Sequence, residues 1–411
     1  MSRWKRDLQR RKFMGLLGAV GGAGLAGCTG STDDSGGSGG DSTSESGTTS
    51  SSSPTTLKVG GSPTGTLDDW SILYEATNIE SVEFTNVPNQ GTAQRILEGD
   101  LAEQLAVVQA LSTSEENFPS AIKEIEPDRL SNWDNLQDFF VESIAGNEVS
   151  PTRVDESGKL VGLPVTAQGD SFAYDIDVTG KELNSYEALF DPEWKGQVAL
   201  WNSPLSGFIK TPIYLKSNNL MDIDQVDNMT KEEVTKVADF LIEKKKEGQF
   251  LTFWDSYNEA VNLLVSGESP VLDAWYPMVL DARDKGLDGA RYALVPDEGY
   301  AKWTHNSHLL DGAELNRPGV EDLAYELINF TLSPAWGAAM LDLRSYVSGI
   351  DPELIKEYIN ENPDQFETDT ETLMNRADQS KERLQGPGGW LNKQPENAEW
   401  YEQEWNRFVN A

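Results

Sequence analysis

Short apolar runs alternate with amphipathic stretches along most of the chain from Thr56 onward. Leu57–Val59, Leu105–Val108, Leu160–Pro164, Val198–Trp201, Pro270–Trp275 and Tyr292–Pro296 read as strands. Between them Val234, Val237, Ala238, Leu241 and Ile242 recur at the spacing of one helix face, and Ala260, Leu263 and Leu264 repeat it in a shorter segment. Leu323, Leu327 and Phe330 line a third helix, which is expected to stop before Ser333-Pro334 because a proline disfavours helical backbone at the residue before it. Strands separated by helices predict an α/β fold with largely parallel sheets.

The first 55 residues stand outside this pattern. Residues 1–28 read as an export signal: a basic start ending in Arg10-Arg11-Lys12-Phe13-Met14, similar to a twin-arginine motif, then the weakly apolar run Met14–Ala26. That run is too short to span a bilayer as a helix, which takes about 20 residues. It ends in Leu25-Ala26-Gly27-Cys28, which resembles a lipobox, and Cys28 is the only cysteine of the chain. A lipid anchor to the outer face of the cell membrane is therefore expected at Cys28. In residues 29–55 everything except Asp33, Asp34, Asp41, Glu45 and Pro54 is Ser, Thr or Gly, a composition that builds no core. As a random coil this tether spans about 30 Å.

The 411 residues carry 33 Lys+Arg against 68 Asp+Glu, a net charge of −35. Subtracting the six basic residues and one acid of the first 28 from those totals leaves −40 on the remainder. Such a balance excludes a nucleic-acid partner, which needs a basic face. It also implies strong self-repulsion in dilute buffer, relieved where salt shortens the Debye length, and points to a halophile.

Chemistry-bearing motifs are sparse. There is no Gly-x-Ser-x-Gly elbow, no phosphate-cradling Gly-x-x-x-x-Gly-Lys and no His-Glu-x-x-His, and the only histidines are His305 and His308. The acidic fragments at Asp175-x-Asp177 and at Asp222, Asp224 and Glu233 lack the remaining features of a calcium loop. No enzyme activity, metal or cofactor is expected.

What remains is a set of indoles at strand ends. Val198–Leu200 runs into Trp201, and Val271–Ala274 into Trp275. In open α/β sheets ligands sit beyond the carboxyl ends of strands, and alternation along a strand places Asp273 and Trp275 on one face. A carboxylate beside an indole suits an organic cation.

Several stretches together resemble a known family: Asp191-Pro192-Glu193-Trp194-Lys195-Gly196-Gln197-Val198, Phe253-Trp254-Asp255-Ser256-Tyr257, Leu264-Val265-Ser266-Gly267-Glu268, Trp303-Thr304-His305-Asn306, the run Ala324–Pro334, and Pro395-Glu396-Asn397 with Trp400 and Trp405. In order and spacing they are similar to the extracellular solute-binding proteins of ABC transporters, in particular the spermidine/putrescine-binding family, here of a haloarchaeal lipoprotein type. The resemblance implies a two-lobed, type II periplasmic-binding-protein fold with a ligand cleft between the lobes. Lobe 1 would comprise residues 56–166 plus 303–348, and lobe 2 residues 167–302 plus 349–411. It implies further that the chain is a monomer that captures a small organic solute and hands it to permease subunits in the membrane.

In that family aromatic rings surround the ligand where this chain has Trp275, Trp303 and Tyr346, with Trp201 and Trp254 beside those places; Asp273 would supply charge and His305 would hold a polar end. The chain departs from the polyamine binders at their acidic positions, where it has His305, Ser203 and Ser206. Burying an unpaired ammonium costs several kcal/mol, against roughly 0.5–2 kcal/mol returned by each cation–π contact. A polycation is thus poorly served unless Asp273, Asp255 or Asp170 takes over. A cationic, polyamine-like solute is expected, with a neutral or zwitterionic one (a sugar, betaine or amino acid) as the alternative and a secreted hydrolase as a remote one.

The charge makes a direct prediction. The thermal midpoint of the tether-free domain should rise steeply between about 0.1 M and about 2 M KCl, as screening removes self-repulsion; a midpoint insensitive to salt would contradict that reading.

Overall fold

The computed structural model describes residues 54–87, 100–111, 121–144, 159–391 and 395–411. The expected signal segment, Cys28 and all but the last two residues of the tether lie outside the described residues.

The described residues form eleven strands: β1 (Thr56–Gly61), β2 (Ser81–Asn86), β3 (Val107–Leu111), β4 (Ile122–Lys123), β5 (Leu163–Asp175), β6 (Val198–Trp201), β7 (Phe250–Trp254), β8 (Val271–Ala274), β9 (Ala290–Tyr292), β10 (Tyr300–Leu310) and β11 (Gly388–Trp390). Their central order is β2-β1-β3-β10-β5-β8-β6-β7. At one end β2, β1 and β3 run parallel, and at the other β8, β6 and β7 do the same. Each parallel trio is the sheet of one lobe. The two long strands between them, β5 and β10, are antiparallel to one another and to the flanking strands β8 and β3. The expectation of largely parallel sheets thus holds within the lobes and fails at the crossing.

The helices follow the periodicity of the sequence. Lys231–Lys246 buries Val234, Val237, Ala238, Leu241 and Ile242, and starts with a capping box in which Thr230 and Glu233 bond each other's backbone N–H. Tyr257–Val265 buries Ala260 and Leu264. Val320–Thr331 ends before Ser333-Pro334 as expected, but the proline opens a new helix, Pro334–Arg344, with Ser333 capping it through the Trp336 N–H.

The crossing strands were the least legible part. The pattern marks a strand only to Pro164, whereas β5 continues to Asp175; it misses β10, β2, β4, β7 and β11, and places at Tyr292–Pro296 the strand that lies at Ala290–Tyr292 (β9). Every residue of β5 and β10 is buried, including Gln168, Asp170, Lys302, His305, Asn306 and His308. A strand covered on both faces shows no polar–apolar alternation, and polar residues at a domain crossing mask it further.

Period-two alternation sorts these two strands into faces. Thr166, Gln168 and Asp170 on β5 lie opposite His305, Trp303 and Ala301 on β10, forming one shared face. The other face carries Gly169, Tyr300 and Lys302. It is covered by the C-terminal segment: β11 pairs with Tyr300–Lys302, and Lys302 Nζ donates to the Leu384 and Gly386 carbonyls at 3.2 and 2.7 Å. That segment is tied to both lobes. Arg376 and Arg383 donate to the Leu341 and Ser345 carbonyls, and the last helix, Ala398–Val409, packs on Lys231–Lys246. Helices Pro352–Glu361 and Thr370–Asp378 pack on Pro334–Arg344.

Gly169 lets the Tyr300 ring lie against the β5 backbone, since a Cβ there would stand 1.8 Å from a Tyr300 ring carbon. Gly169→Ala is expected to lower stability by about 1–3 kcal/mol through overpacking, read as a shift of the denaturant midpoint; an unchanged midpoint would contradict this packing.

Candidate functional site

The face shared by β5 and β10 leads to one carboxylate. Asp170 lies on β5 and is 7% exposed. Its Oδ1 accepts the Trp303 indole N–H at 2.7 Å, and the Trp275 indole lies near enough to favour the ionised carboxyl as well. Trp303 stands on the crossing strand β10. Trp275 follows β8 and is the N-cap of the helix Tyr276–Asp284, where extended backbone and Pro277 turn the chain. The two indoles thus reach a single carboxyl from different strands.

Around this centre the rings form two groups. The Tyr346 ring meets Trp303 edge-on at 5.2 Å and 90°, and His305 lies 5.4 Å from Trp303. On the other side Trp201 stacks on Trp254 at 5.9 Å and 19°, and Trp275 meets both edge-on at 5.2 and 5.5 Å. These are favourable aromatic geometries, each contributing roughly 0.5–1.5 kcal/mol beyond burial.

Tyr346 is delivered by the end of the helix Pro334–Arg344. Ser345 there adopts left-handed backbone (φ 56°, ψ 23°), which costs a non-glycine residue about 1–3 kcal/mol. Its carbonyl accepts from Gln168 Nε2 and Arg383 Nη1, which hold the turn, while Thr166 Oγ1 bonds the Val347 carbonyl. The crossing strand therefore anchors the aromatic side chain that borders the site.

Burial pushes the Asp170 carboxyl up to about 6, and nearby Asp273 pushes the same way, while Lys210 and the two indoles hold it down. His305 is buried and pushed down to about 3, so it is neutral at ordinary pH, and its Nδ1 has no partner among the described residues. It lies against Gly65, where a Cβ would come within 3.0 Å of that Nδ1.

Six of the seven expected residues (Trp201, Trp254, Trp275, Trp303, His305 and Tyr346) lie in the indole and tyrosine groups around Asp170. Trp254 is 1% exposed, with its N–H on the Asp273 carbonyl at 3.0 Å, and backs Trp201. Asp273 is 1% exposed and forms a buried ion pair with Lys210, while its Oδ2 accepts the Trp201 backbone N–H. Its charge is already matched within the chain. Of the other acids considered, Asp255 is exposed and bonds Asn202. That leaves Asp170, whose place between the indoles becomes visible only once the register of β5 against β10 is known. A separate cavity of about 550 Å³, bordered by Glu75, Asn78, Glu326 and Tyr358, lies on the outside of the first lobe and contains none of these rings.

Among the described residues no group of His, Cys, Asp and Glu could hold a metal ion, and no helix is long and apolar enough to cross a membrane. Asp175 caps the short helix Ile176–Thr179, and Glu233 belongs to the capping box, so both acidic fragments have structural employment.

The fold has known counterparts. PotD from Streptococcus pneumoniae, a spermidine/putrescine ABC transporter substrate-binding protein crystallised with calcium and HEPES, superimposes with a TM-score of 0.66 at 13% identity, covering 87% of this chain and 99% of that one. The Tp0655 lipoprotein of Treponema pallidum gives 0.62 at 13% identity, covering 86% and 99%. AgtB from A. tumefaciens, bound to agropinic acid, gives 0.53 at 15%, covering 87% and 99%. These likenesses establish the two-lobed periplasmic-binding-protein fold. No curated protein matches the sequence. The family model described as bacterial extracellular solute-binding protein matches residues 74–363, most of the chain. Two parallel sheets joined by antiparallel crossing strands, with that match, make this chain a member of the bacterial extracellular solute-binding proteins, the solute-capturing subunits of ABC importers.

Proposed function

We propose that the solute is a small organic cation carrying a single positive charge, bound at Asp170 between Trp275 and Trp303. The observation that carries this reading is the buried carboxylate at the crossing of the lobes, bonded by one indole and faced by the other. An ammonium or quaternary amine between those rings gains cation–π attraction from each and a counter-ion from Asp170. Tyr346 and neutral His305 complete the border. The rings close on one another in this conformation, so entry requires the lobes to part about β5 and β10, and closure over the solute creates the shape a permease recognises.

In this reading lobe 1 is built from residues 56–166 plus 303–348, and lobe 2 from 167–302 plus 349–411. The protein acts as a monomer and catalyses no reaction. It is exported by the twin-arginine segment, held to the outer face of the membrane by a lipid on Cys28, and works in concentrated salt.

Two outcomes are expected. Trp275→Ala should weaken binding of a monoamine such as butylamine by on the order of 1–3 kcal/mol; equal affinity would remove Trp275 from the site. The pH dependence follows from Asp170. A carboxyl raised to about 6 is partly protonated in the free protein below that pH, whereas a bound cation favours its ionised form. Affinity should therefore be flat above about pH 7 and fall toward one decade per pH unit below about 5, with proton release on binding, and Asp170→Asn should abolish both the affinity and the slope. Calorimetry in buffers of different ionisation enthalpy reads this directly. Affinity independent of pH, or equal for butylamine and butanol, would instead favour a neutral solute.

A further inference from the structure

Lys210 is the buried group that the site does not otherwise explain. It rises from the helix Pro204–Ser217, which follows β6 and is kinked at Phe208 by non-helical backbone (φ −97°, ψ 19°). Its side chain is 2% exposed and its Nζ pairs with Asp273, which is 1% exposed. Such a pair is no simple stabiliser. A buried ion pair contributes little more than an apolar pair of the same size, and a lysine is seldom fully buried unless paired. The pair lies at the carboxyl ends of β6 and β8, next to where ligands gather in sheets of this kind, and its field reaches the proposed anchor: Lys210 is the leading favourable charge on Asp170 and Asp273 the leading unfavourable one.

We propose that Lys210 is a specificity-determining residue that acts as a built-in occupant of one ammonium position, fixing at one the number of positive charges the cleft accepts. Asp273 is paired with this internal ammonium and Asp170 lies within its field, leaving a single uncompensated negative charge for the solute. Without Lys210 the same carboxylates would call for a dication. The inference rests on the reading of Asp170 as the solute's anchor.

Butylamine and butane-1,4-diamine, equal in length and different by one charge, test it by titration calorimetry in the tether-free domain. The wild-type protein should prefer butylamine. Lys210→Met raises the uncompensated charge to two and should move the preference toward the diamine by roughly tenfold or more. Asp273→Asn lowers it to zero and should weaken butylamine binding by roughly tenfold, though Asp273 is not in the anchor. The double variant K210M/D273N restores a single negative charge and should recover the preference for butylamine; it also removes both members of the ion pair, so it is expected to fold even if Lys210→Met, with its stranded carboxylate, does not. Selectivity that ignores the charge count across the folded variants would overturn the role of Lys210 while leaving Asp170 in place. A wild-type protein that binds neither amine would overturn the anchor itself.

Discussion

A carboxylate placed where two lobes meet, out of water and held by the Trp303 indole N–H, is the constraint on which this molecule turns. Burial makes the charge of Asp170 costly, so its pKa rises to about 6. The surroundings answer with a hydrogen bond from Trp303, the nearby Trp275 indole and the field of Lys210, none of which removes the charge. In the proposed function an external cation completes that balance. Burial also keeps His305 neutral.

The scaffold serves that carboxylate from behind as well as from the sides. On one face of the crossing strands lie Asp170, Trp303 and His305; on the other, Tyr300 and Lys302 are covered by the C-terminal segment, whose arginines hold the Leu341 and Ser345 carbonyls. Ser345 in turn bends the chain so that Tyr346 meets Trp303. Each step couples one lobe to the other through β5 or β10, and this is how a binding site can also be a hinge.

Much of this was legible in the sequence, and the rest was not, for identifiable reasons. The helices Lys231–Lys246 and Val320–Thr331 declared themselves because each exposes one face to water and buries the other. Val198–Trp201 and the strand before Trp275 stood out as apolar runs. Strands β5 and β10 did not, because strands buried on both faces need no alternation, and β10 carries two histidines, an asparagine and a lysine. The ring residues Trp201, Trp275, Trp303 and Tyr346 could be named from strand ends and family likeness, but their common partner could not. Asp273 looked right because alternation placed it beside Trp275; the lysine that neutralises it sits 63 positions earlier on a helix, a contact no local pattern reveals. Asp170 was one of three acids named as able to take over a cation's charge, and nothing in the local pattern set it above Asp273 or Asp255.

The most direct test is a titration of the Asp170 carboxyl carbon by NMR, assigned with the Asp170→Asn variant, in the free protein and with saturating butylamine. A buried anchor between two indoles should titrate near pH 6 when free and drop by about one unit or more when the cation binds. An ordinary carboxylate value in the free protein, or a midpoint that does not move with the amine, would contradict the account.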